Sequence, residues 1–241
     1  MRTFLIAIII GILSLSHTAL RAQAGPEAGE ILLKGMGGKD KWDNTNYILF
    51  TANGNDLRPF QDSRKFLINR KSGQARFEGK SNDGEQIVSL FNFKTEKLTK
   101  FFVNGVEIKQ IDTEVLELFN KINTQFKKDA TFLFLPALIE QPATKTGKTS
   151  SKIFNAEKLQ SLPFQLESGL SGEVLFNRET GWIRQFIDKD GNTYVVNDYK
   201  DTGGGLFLPT GFKNLADSNK SFLFPTVAVF TEMEETRFST L

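Results

Sequence analysis

The chain has 241 residues, with 30 Lys and Arg, 28 Asp and Glu, one His and no Cys. The one histidine, His17, sits in an apolar N-terminal leader, so the rest has neither imidazole nor thiolate; this excludes His/Cys zinc sites, Ser-His-Asp and Cys-His nucleophiles, and disulfide staples. Without Arg2 and Arg21 of the leader there remain 28 basic and 28 acidic side chains, too balanced for the phosphate neutralisation that nucleic-acid binding needs, and no nucleic acid is expected as a partner.

Arg2, the apolar stretch Phe4 to Leu15 and the small-x-small triplet Ala22-Gln23-Ala24 form the pattern of a secretion signal. The stretch is shorter than the roughly 20 residues of a membrane span. The expectation is a signal peptide over 1–24, cleaved near Ala24, and a single periplasmic domain over 25–241, long enough to bury a sizeable core.

Pro26 to Gly38 reads as a helix, with Ala28, Ile31, Leu32, Gly35 and Met36 at helical spacing and a glycine ending. Trp42 is expected to pack that end onto the next element. The period then changes to two. Strands are expected over Asn46 to Asn53, Arg64 to Lys71, Gln74 to Lys80, Gln86 to Phe93 and Leu98 to Val103. Ser72-Gly73, Asn82-Asp83-Gly84 and Asn104-Gly105 supply turns. Thr113 to Lys128 is the clearest helix, with the stripe Val115, Phe119, Ile122 and Phe126 and charges that suit the macrodipole. The apolar run Phe132 to Leu138 contains Pro136 and reads as a second helix or a buried irregular segment. Gln141 to Ser151 reads as an exposed polar loop. Further extended pieces are expected over Gly172 to Asn177, Trp182 to Ile187, Thr193 to Lys200, Leu206 to Phe212 and Phe222 to Thr231, with a last short strand over Thr236 to Leu241. The fold class is α+β, mainly β: one strongly curved antiparallel sheet of about ten strands, with helices against one face.

Gly35-Met-Gly-Gly-Lys39 lacks the spacing of a phosphate loop and reads as a helix ending. Asp188-Lys-Asp-Gly191 brings its glycine too early for a calcium loop and reads as a hairpin turn. Asp188, Asp190, Asp198 and Asp201 lie at turns and strand ends, with nothing to pair them across a cleft. No catalytic residue, metal site or cofactor is expected.

The distinctive feature is 23 Phe against 3 Tyr and 2 Trp. Several strands are apolar on both faces: Ile87, Phe91 and Phe93 alternate with Val88 and Leu90, and Leu98 and Phe102 with Phe101 and Val103. Few helices would have to cover that surface, which points to an apolar cavity or to a protein interface.

Met36-Gly-Gly38 followed by Trp42, Gly73-Gln-Ala-Arg76, Leu90-Phe-Asn-Phe93, Asp129-Ala-Thr-Phe-Leu-Phe-Leu-Pro136 and Asp198-Tyr-Lys-Asp-Thr-Gly-Gly-Gly-Leu-Phe-Leu-Pro209 occur in an order that resembles the periplasmic lipoprotein-carrier-like proteins of Bacteroidetes. The resemblance implies a half-open barrel lidded by helices, whose concave apolar face takes the acyl chains of lipoproteins or other lipids. It also implies a functional arginine, for which Arg64, Arg70 and Arg76 are candidates. The expected function is a non-enzymatic, monomeric lipid carrier, with envelope membrane proteins as further partners. Phe119, Ile122, Phe126, Phe132, Leu133, Phe134 and Leu138 would form the lid, and Phe91, Phe93, Phe102, Phe176, Trp182 and Phe186 the sheet face. The alternative is an envelope module that docks a protein on the same apolar face.

Overall fold

The computed structural model describes residues 26–54, 60 and 63–241; the expected signal peptide lies outside the described residues. The chain opens with α1 (Pro26–Gly35) and α2 (Lys39–Asn44). An antiparallel run follows: β1 (Tyr47–Gly54), β2 (Arg64–Asn69), β3 (Gln74–Lys80), β4 (Gln86–Asn92), β5 (Lys97–Val103) and β6 (Val106–Glu107). Asn104 and Gly105 both take positive φ, at 50° and 84°, as the tight Asn-Gly hairpin requires. The helices α3 (Thr113–Leu133) and α4 (Leu135–Ile139) come next. Asp112 caps α3 by accepting from the Val115 amide at 2.9 Å. Pro136, in the run expected as a second helix or a buried irregular segment, stands in the first turn of the short helix α4, where its missing N–H costs nothing.

The second run comprises β7 (Lys145–Thr146), β8 (Ser150–Phe154), β9 (Glu157–Gln165), β10 (Ser171–Phe176), β11 (Ile183–Asp188), β12 (Thr193–Asp201), β13 (Phe207–Asn214), β14 (Phe222–Leu223) and β15 (Val227–Phe230). The fifteen strands among the described residues belong to one open sheet, more than the ten or so expected, because several have only two to five residues. The polar stretch read as a loop after Gln141 holds β7 and the start of β8, which pair with β9. The last short strand expected over Thr236 to Leu241 is instead a 3-10 turn over Glu235–Phe238.

The strand order is β6-β5-β4-β3-β2-β1-β14-β13-β12-β11-β10-β9-β7, with β15 also on β1 and β8 on β9. The chain walks from the centre to one edge, crosses by α3 and α4, and walks back from the other edge. The crossing helix fixes the curvature. Phe126 of α3 meets Phe91 on β4 at 5.8 Å between centroids, and Phe132 meets Phe186 on β11 at 5.7 Å. In a flat sheet β4 and β11 would lie about 34 Å apart. Phe126 and Phe132 are only about 9 Å apart along the helix. The sheet therefore curls around α3, whose apolar stripe is its core partner.

Candidate functional site

The expected open cavity is largely filled. Phe126 packs against Phe50, Phe66, Phe91 and Phe93. Phe132 stacks on Phe222 with centroids 3.6 Å apart and meets Tyr194 and Phe212 edge-on. Phe119, Ile122 and Leu133 are buried in the same cluster. These residues make a close-packed core, in which each large apolar side chain contributes about 1.5–3 kcal/mol.

Two of the expected sheet-face residues lie elsewhere. Phe102 points to the outer face: it pairs with Val88, while Ser89 pairs with Phe101, which belongs to the core. The cause is a bulge. Phe91 pairs with Leu98 but Leu90 with Lys100, leaving Thr99 as an extra residue that breaks the alternation linking Leu98 to Phe102. Trp182 precedes β11 rather than opening it. It lies flat on Tyr199, centroids 5.0 Å apart, and donates Nε1–H to the Gly35 carbonyl at 3.0 Å. Phe176 is core but sits under α1, beside Ala28 and Ile31.

Among the open grooves of the described residues, one of about 540 Å³ lies at the mouth between the first half-sheet and the helices. Phe93, Phe126, Phe134 and Leu138, all expected ligand-facing residues, line it together with Trp42, Ile68 and Ala130. Arg70, Glu96 and Lys127 stand on its walls. Its volume falls within the usual range for small-molecule pockets. Trp42, expected only as a packing residue, forms one wall. It meets Phe134 at 5.5 Å and lies under the Arg70 guanidinium, 3.5 Å from its carbon. Arg70 Nη1 donates to the carbonyls of Trp42 and Thr45, the latter at 2.8 Å, so the stack is held by α2 and the residue that ends it. Burial holds the pKa of Arg70 down to about 10. Lys127 pairs with Glu96 at 2.7 Å across the rim, which holds the Glu96 carboxyl below its usual range.

The other two arginine candidates have structural partners. Arg64 is buried against Asp129. Arg76 lies on the outer face and donates to the carbonyls of Arg237 and Thr240, pinning the C-terminal segment. Among the described residues there is no cluster of three or more His, Cys, Asp or Glu that could hold a metal, and no helix long and apolar enough to cross a membrane.

No protein-family model matches the chain, and no curated protein does either. Among solved structures it is similar to a DUF1329 family protein from Desulfovibrio piger, at 8% identity and a TM-score of 0.41, over 88% of this chain and 95% of that one. It is also similar to MucB in complex with MucA(peri), at 10% identity and a TM-score of 0.26, over 86% of this chain and 57% of that one. The MucA/MucB complex of Pseudomonas aeruginosa matches at 10% identity and a TM-score of 0.25, over 87% and 60%.

Proposed function

We propose that the protein is a non-catalytic binding protein of the periplasm that carries an apolar group, such as a lipid acyl chain, in the groove between Phe93, Phe126, Phe134 and Leu138. The observation that carries this reading is the groove itself: an aromatic-walled space left open beside a core that is otherwise packed.

The ligand lies alongside α3 rather than beneath it. Lifting α3 away would expose Phe119, Ile122, Phe126, Phe132 and Leu133, at a cost on the order of 10 kcal/mol, and would part Arg64 from Asp129. A carrier must load and unload cheaply, and the groove does so without dismantling the core.

Native mass spectrometry with organic extraction, on protein purified from a periplasm, tests the reading. A reproducible lipid adduct, lost in Leu138→Glu while the thermal melt is kept, is the expected result. A clean mass, together with no uptake of a fluorescent acyl probe, would sink it and favour a protein-docking role for the same face.

A further inference from the structure

Arg64, which opens β2, and Arg70, which follows it, differ in one respect. Arg64 uses its Nε and Nη2 edge for a side-on pair with Asp129, at 2.8 and 3.0 Å. Arg70 spends only Nη1, on the Trp42 and Thr45 carbonyls. Its Nε–H and Nη2–H edge meets no acceptor among the described residues. That edge is the fork which matches a carboxylate or phosphate with two parallel hydrogen bonds.

Acids near this edge are already engaged. Asp43 pairs with Lys39 at 2.5 Å, and Glu96 with Lys127 at 2.7 Å while also accepting from Asn123 at 3.3 Å. Arg70 thus keeps a half-buried charge with no carboxylate hydrogen-bonded to it among the described residues, Asp43 acting on it only from a distance, and is fixed on the face of Trp42 at the edge of an apolar groove. A guanidinium desolvated in this way gains more from an anion than an exposed one does, and burial already lowers its pKa to about 10.

We infer that the groove selects a single-chain amphiphile with an anionic end: the alkyl chain lies along Phe93, Phe126, Phe134 and Leu138, and its carboxylate or phosphate docks on the free edge of Arg70. This rests on the proposed acyl-binding reading and adds the class of headgroup.

The test compares the affinities of palmitate, hexadecyl phosphate, methyl palmitate and inorganic phosphate for the full chain at pH 8, by displacement of a fluorescent acyl probe and by direct titration. Palmitate and hexadecyl phosphate are expected to bind about tenfold or more tighter than methyl palmitate. Arg70→Gln should erase that preference. Arg70→Lys should restore only part of it, since an ammonium lacks the fork. Equal binding of acid and ester by the unaltered protein overturns the headgroup inference and leaves the acyl groove standing, without relying on any variant. Inorganic phosphate binding as tightly as hexadecyl phosphate would overturn both, because the chain would then contribute nothing. Failure of all three amphiphiles to bind would also overturn both.

Discussion

Arg64 on β2 and Asp129 on α3 meet through two parallel hydrogen bonds, and neither side chain reaches solvent. Arg64 also reaches the Gly54 carbonyl at 3.3 Å, so one guanidinium ties the end of β1, the start of β2 and the crossing helix. Burial pushes the Asp129 carboxyl up, against the opposing pull of Arg64. Asp129→Ala is therefore expected to cost about 3–5 kcal/mol in urea unfolding, because it strands a buried cation. The double variant Arg64→Met, Asp129→Leu should recover most of that loss. A double variant no more stable than Asp129→Ala alone would show that the pair is not an isolated unit.

Leu133 and Leu138 separate core from groove. Leu133 is fully buried, whereas Leu138 only packs against the core's rim and lines the groove. Leu133→Ala should cost about 2–5 kcal/mol of stability. Leu138→Ala should cost well under half of that and should instead weaken acyl-probe binding. Thermal melts and probe titration on the two variants check the division.

The end of α1 is seated by backbone contact. A Cβ added at Gly35 would stand 2.6 Å from the Thr180 carbonyl, and one at Gly181, where φ is +73°, would strike the Ile31 carbonyl. Gly181→Ala is expected to lower stability by about 2 kcal/mol or more, from left-handed strain plus the collision. Gly191→Ala, at φ +83° with nothing within 4 Å of the added atom, carries only the strain and should lose about 1 kcal/mol. Equal losses would count against the close approach.

Glu78 contributes to the acid limb, as Glu96 and Glu173, also held below their usual range, do. Burial pushes its carboxyl up, but hydrogen bonds and charge from Lys65 and Arg76 outweigh that and hold it below the usual 4.5. A carboxyl depressed in the folded state contributes stability above its unfolded value and loses it as pH falls through the folded value. Arg76, oriented by Glu78 at 2.6 Å, also holds the C-terminal segment. Glu78→Gln should flatten the loss of urea stability below about pH 4.5. It should also make residues 236–241 clip faster in limited proteolysis at neutral pH.

Much of the architecture could be read from the sequence where local chemistry decides. Asn104-Gly105 marks its hairpin, and the Phe119–Phe126 stripe marks α3. The hairpin from β8 to β9 was hidden because Asn155 and Ala156 take positive φ, at 49° and 61°, without a glycine, and β8 is polar and exposed. Phe102 was misassigned because one inserted residue, Thr99, reverses the alternation, and no residue type announces a bulge there. At the site, Phe93, Phe126, Phe134 and Leu138, expected by apolarity to face a ligand, do line the groove, but apolarity alone could not separate them from Phe132 or Phe186, which do not line it. Which of three arginines would face the groove depended on long-range partners: Asp129 for Arg64 and the C-terminal carbonyls for Arg76.

The central strand is also the first one made, and its partners on one side come last. Tyr47 pairs with Phe230 and Phe50 with Val227. Until residues 222–230 have arrived, one edge of β1 offers its amides and carbonyls to any passing strand, and the aromatic inner face of β2 to β5 waits for α3. Closing so distant a contact is slow, on the scale of milliseconds to seconds for sheet-rich domains. The same topology that seats β1 at the centre thus leaves its edge and the aromatic inner face exposed until the C-terminal strands and α3 pair with them.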